Sequence, residues 1–147
     1  MKKFFLCTAL ALSVLQLASA QKQDTCKPVN LICDHLVKPL GIDSPNPRLS
    51  WMLDDSRKGA RQTAYQIVVG CDSLEVVNGK GKVWDTGKKN SDDILINYSG
   101  QALQPFTKYY WKVNVWDKDG VNSSSDVSCF ETGMMGMKNW QGAWIGD

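Results

Sequence analysis

The feature that most constrains this chain is a repeated alternation of apolar and polar residues in short runs, each closed by a turn signal. Leu49, Trp51 and Leu53 share one phase of residues 48–53, and Tyr65, Ile67 and Val69 share one phase of residues 64–71. The strongest run is 109–117, with Tyr109, Trp111, Val113 and Val115 on one face and Lys112 and Asn114 on the other. A period of two belongs to a half-buried strand; wound as helices, these runs would scatter their apolar groups around the circumference. Four more short runs, at 29–34, 82–85, 94–98 and 127–132, bring the expected strands to seven. Residues 73–78 carry the only signal for a helical turn. Residues 39–47 hold three prolines and a glycine and must be irregular or extended. Seven short strands separated by turns predict an all-β fold, an antiparallel seven-stranded β-sandwich of the fibronectin type III/immunoglobulin-like kind.

The first twenty residues read differently. Lys2 and Lys3 precede an apolar run over 4–17, and Ala18-Ser19-Ala20 offers the small residues that a signal peptidase accepts. Residues 1–20 are therefore expected to be a cleaved signal peptide, residues 21–28 a lead-in, and the product exported, periplasmic or extracellular. No apolar run is long enough to predict a membrane span. Removal of Lys2 and Lys3 leaves 15 basic residues against 15 acidic ones, which argues against a nucleic-acid partner. Cys7 leaves with the signal. Cys26, Cys33, Cys71 and Cys129 then allow three complete pairings, among which sequence does not choose. Their spacing predicts no metal site, and the one histidine, His35, has no nucleophile pattern beside it.

Six tryptophans invite a carbohydrate reading, because indole faces stack on sugar rings. Trp51 and Trp111 fall on inward phases and belong in the core. Trp84 beside a turn and Trp116 on the outward phase at a strand end are the candidates for a sugar or domain contact. Asp54-Asp55, Asp92-Asp93 and Asp117/Asp119 read as solvated turn residues rather than an acid/base pair. Asp117-x-Asp119-Gly120 is a fragment of a calcium loop without the remaining ligands, so a hairpin turn is the reading. No catalytic residue, cofactor or metal is expected.

Two local patterns carry a resemblance. Leu103-Gln104-Pro105-Phe106-Thr107-Lys108-Tyr109 matches L-x-P-x-T-x-Y, which leads into the sixth strand of fibronectin type III domains and forms a tyrosine corner. Then Pro47-Arg48-Leu49-Ser50-Trp51, Arg61-Gln62-Thr63-Ala64-Tyr65, Val83-Trp84-Asp85-Thr86-Gly87, Phe130-Glu131-Thr132-Gly133 and Trp140-Gln141-Gly142-Ala143-Trp144 follow in order. Together they resemble the N-terminal module of bacterial α-L-rhamnosidases, inverting glycoside hydrolases that remove terminal rhamnose. The resemblance implies a non-catalytic module over 29–133, with residues 134–147 a linker or the start of a following domain. It implies that Trp140, Trp144 and Ile145 face downstream rhamnosidase domains as intramolecular partners. A rhamnose-containing glycan would then be a further partner. The alternative is a stand-alone secreted carbohydrate-binding module.

Overall fold

A computed structural model describes residues 26–136, 138, 140–143 and 145. The expected signal peptide, most of the lead-in and Trp144 lie outside these described residues. The chain forms β1 (Lys27–Cys33), β2 (Arg48–Asp54), β3 (Gln62–Gly70), the short helix α1 (Ser73–Val77), β4 (Trp84–Asp85), β5 (Leu95–Asn97), β6 (Lys108–Asp117), β7 (Asn122–Ser124) and β8 (Ser128–Glu131). One sheet has the order β1-β2-β5. The other runs β4-β3-β6-β7, with β8 also on β6. All strand pairings are antiparallel.

The two sheets face each other across the apolar phases of the long strands. Trp51, Leu49, Ile67, Val69, Trp111, Val113, Val115 and Phe130 are fully or almost fully buried. Truncating either core tryptophan to alanine would cost roughly 3–5 kcal/mol. The Trp51 indole donates to Gln62 Oε1 at 3.0 Å, and its ring tilts against Tyr65 at 5.6 Å.

There are eight strands rather than seven, and the eighth is a break in the last. β7 and β8 both lie along β6, but Asn114 pairs with Ser124 while Trp111 pairs with Ser128. Residues 125–127 therefore oppose only 112–113, the signature of a bulge. Ser125 fills the gap: its hydroxyl accepts from Val113 N at 3.0 Å, and its own N–H donates to Val113 O at 2.8 Å. β1 also bulges, between Val29 and Ile32, where Asn30 takes a φ of 51°.

The proline-rich segment is extended, and it is used. Ile42 bridges Thr132 in parallel, Glu131 N donates to Pro39 O, and Gly133 N donates to Ile42 O at 2.8 Å. Residues 39–43 thus run along the outer edge of β8. Hydrogen bonding continues past Thr132, because Met135 N donates to Asp43 Oδ1 at 2.7 Å and Met135 packs against the core. A Cβ at Gly133 would sit 2.7 Å from Asp43 Oδ1 and 3.1 Å from Gly41 O, so only glycine lets the chain pass so closely.

Candidate functional site

At one end of the sandwich the loops after β2 and β6 meet around a single guanidinium. Arg57 bonds Asp55 through Nε (2.9 Å) and Nη2 (2.6 Å), Asp117 through Nη2 (2.6 Å) and Asp119 through Nη1 (3.2 Å). The side chains of Asp55 and Asp117 are 2% and 0% exposed. This overturns the expectation of solvated turn residues at these two positions. They are buried because Arg57, sixty residues from Asp117 in sequence, neutralises both. Asp117 also closes its own turn, since Oδ1 accepts from Asp119 N and Val121 N. The bond from Arg57 holds the Asp55 carboxyl at about 2, well below the usual carboxylate range. Burial pushes the Asp117 carboxyl up, but the bonds from Arg57 and the two backbone N–H groups outweigh it and leave it below normal. Two carboxylates held ionised by one arginine can neither donate a proton at neutral pH nor act as opposed acid and base. The neighbouring Cys26 thiol is pushed up by burial and by both carboxylates, and burial pushes Cys33 up to about 12. All four described cysteines are thiols, Cys71 exposed and Cys129 half-buried.

The candidate aromatic residues do not assemble into one platform. Trp84 pairs with the core residue Val69, packs against the core and meets Tyr98 edge-on at 5.0 Å. Trp116 pairs with Ala64 on the other phase of β3, so it stands on the outer face of the larger sheet. It is half-buried, and Lys88 Nζ lies 4.5 Å from its ring centroid. Beside it a polar row crosses four strands. Gln66 donates to Asp85 Oδ1 at 2.8 Å, Asn114 to Gln66 Oε1 at 3.1 Å, and Ser124 to Asn114 Oδ1 at 2.6 Å. These groups satisfy one another.

His35 is exposed, and its Nε2 lies 2.6 Å from Arg48 Nη2. A polar recess of about 670 Å³ nearby is lined by Asp34, Asn46, Arg48, Asn97 and Ser99. Its one lining carboxylate, Asp34, accepts from Arg48 N at 2.8 Å, so no acid/base pair opens into it. Among the described residues no group of His, Cys, Asp and Glu is placed to hold a metal ion, and no helix is long and apolar enough to cross a membrane.

The other end of the sandwich is where the chain leaves. The pairings Cys33–Leu49, Arg48–Asn97, Gly70–Tyr110 and Lys108–Glu131 bring the loops after β1, β3 and β5 together beside residues 133–136. The tyrosine corner is here: Tyr109 Oη accepts from Gln104 N at 2.8 Å, and the ring stacks on Phe130. Thr132 ties the corner to the last strand, accepting from Thr107 N and donating to Gln104 O. Phe106, at a φ of 49°, donates its N–H to Gly133 O and leaves its ring 73% exposed. Leu36, Val37 and Leu40 stand in solvent on the loop after β1, as do Leu74 and Val77 on α1. Trp140 and Ile145, expected to face a further domain, are 43% and 98% exposed. Leu40 and Phe106 were not among the residues singled out from sequence, because apolar residues inside Pro-containing loops carry no periodicity.

Known proteins share this fold and much of its sequence. Residues 28–136 match the model of the Rha78A-like, N-terminal immunoglobulin domain. An α-L-rhamnosidase of Streptomyces avermitilis is 43% identical over 114 residues, covering 76% of this chain but 11% of the relative. An α-L-rhamnosidase of Formosa agariphila is 34% identical over 110 residues, covering 73% and 12%. Among solved structures, the Streptomyces avermitilis α-L-rhamnosidase complexed with L-rhamnose superposes with a TM-score of 0.78 at 39% identity, over 83% of this chain and 12% of that one. The Dictyoglumus thermophilum α-L-rhamnosidase gives 0.75 at 41% identity, over 78% and 13%. This chain thus spans about an eighth of the length of its relatives. It belongs to the family of Rha78A-like N-terminal immunoglobulin domains.

Proposed function

We propose that this chain is the structural N-terminal module of an exported α-L-rhamnosidase, cleaved from its signal after Ala20. The rhamnose-containing glycan is met by domains downstream, and Trp140, Trp144 and Ile145 belong to the connection toward them. The observation that carries this reading is the family match over residues 28–136, confined to about an eighth of each relative. The internal arrangement supports it: the buried carboxylates are committed to Arg57, and the two candidate aromatic residues occupy opposite faces of one sheet. The test is an assay of the purified 147-residue chain with a nitrophenyl α-L-rhamnoside. No nitrophenol release is expected, and turnover by this chain would overturn the reading. Sequencing the mature N-terminus checks the export part, which requires Gln21 as first residue.

A further inference from the structure

Exposed apolar side chains normally scatter singly over a surface. Here they do not. Of the eleven large ones exposed among the described residues, six lie in the connections after β1, β3 and β5, α1 included, and two on the segment that leaves the module. Met52, Ile94 and Leu95 on the smaller sheet are the other three, so the Arg57 end has none. The exit run is threaded between two of the most exposed groups. Gly133 O accepts from Phe106 N on one side, while Gly133 N and Met135 N bond Ile42 O and Asp43 Oδ1, beside Leu40 and Gly41, on the other. Phe106 is also held in a backbone region where a bulky residue is strained, with its ring turned to solvent rather than the core.

We infer that this end is the docking face for the polypeptide that follows residue 147 in an α-L-rhamnosidase, an apolar contact anchored by Leu40 and Phe106. Three observations commit the face to that occupant: the chain departs through it, the longer relatives continue well beyond the matched region, and the apolar groups are concentrated there. The inference rests on the rhamnosidase reading above.

Hydroxyl-radical footprinting tests it. The free 147-residue chain is compared with a fusion in which it replaces the matched region of the Streptomyces avermitilis enzyme. Oxidation of Leu40 and Phe106 should fall severalfold in the fusion, with Met52 and Leu95 unchanged. Equal oxidation of Leu40 and Phe106 in a fusion that cleaves an aryl rhamnoside, or protection of Met52 and Leu95 instead, would overturn the inference. The intact Streptomyces avermitilis enzyme reads the same face without a fusion. Rapid oxidation there, at the residues aligned with Leu40 and Phe106, would also overturn it. Protection that grows with concentration in the free chain would assign the face to a second copy and reject the downstream occupant. Turnover by the free chain would sink the rhamnosidase-module reading, and the inference with it, whereas a failed footprint would sink the inference and leave that reading intact.

Discussion

The two ends of this sandwich solve the same problem, holding loops together, by opposite means. At the Arg57 end the loops are joined through side-chain charge, with both buried carboxylates matched and, among the described residues, no large apolar group left in water. At the exit end they are joined mainly through backbone and hydroxyl bonds, by Thr132, Tyr109 and residues 39–43, while the apolar tips point outward. One end is finished within the module; the other has satisfied its backbone and left its apolar surface unused. The difference separates what stabilises the fold from what is available to a neighbour.

Substitutions at the two ends should separate in the same way. Arg57→Ala should have the largest effect, because it strands two buried carboxylates without a counter-charge. Its melting midpoint at neutral pH should fall below those of Gln62→Leu, Tyr109→Phe and Phe106→Asn. Because the folded pKa of Asp55, about 2, lies below its unfolded value, its contribution is present above roughly pH 4 and is lost as pH falls through 2. Melting curves of the native chain and Arg57→Ala should therefore converge in acid; parallel pH profiles would break the account of the charged end. Gln62→Leu comes next. It strands the Trp51 indole N–H and the carbonyls of Ser91 and Asp93, which Gln62 Nε2 now binds, at about 2–3 kcal/mol by urea unfolding. At the exit end Tyr109→Phe removes the hydroxyl from Gln104 N and should cost about 1–2 kcal/mol, with the ring stack intact. Phe106→Asn should be the smallest, within about 0.5 kcal/mol in the isolated chain, since asparagine accepts the left-handed backbone and the ring covers little. A large loss there would mean that the ring already serves this domain.

What could be read from sequence was what depends on neighbours along the chain. The alternation in β2, β3 and β6 gave the buried faces, and L-x-P-x-T-x-Y predicted the hydroxyl that reaches back to Gln104. The helical turn expected over 73–78 is similarly local, and the structure adds its cap, Asp72 Oδ1 accepting from Leu74 N and Glu75 N. What escaped was long-range. Nothing around Asp117 announces Arg57, because an ion pair between loops has no periodicity. Residues 39–43 look irregular until β8 lies beside them, since their pairing is decided by the last strand to be made. The split of that strand was hidden for a related reason: Ser125 is an ordinary turn residue in sequence and becomes a bridge only against Val113. At the candidate site, phase placed Trp116 on an outer face but could not show Lys88 above its ring.

The segment over residues 39–43 has a consequence for how such a module behaves in a crowd. A β-sandwich ends each sheet in a row of unpaired amides and carbonyls, a template on which another copy can add a strand and start a fibril. Here the edge of β8 at residues 131–133 is occupied by the module's own chain, and Pro39, Pro45 and Pro47 lie in the segment that covers it or just beyond. The opposite margin of that sheet is β4, two residues long, and β5 at the margin of the smaller sheet has three. The smaller sheet's other margin, β1, is seven residues long but is broken by the bulge between Val29 and Ile32. Two short strands, one bulged edge and one edge already taken leave an incoming chain little to zip against. The module can therefore carry an apolar end for a neighbour without also offering its sheets as seeds for aggregation.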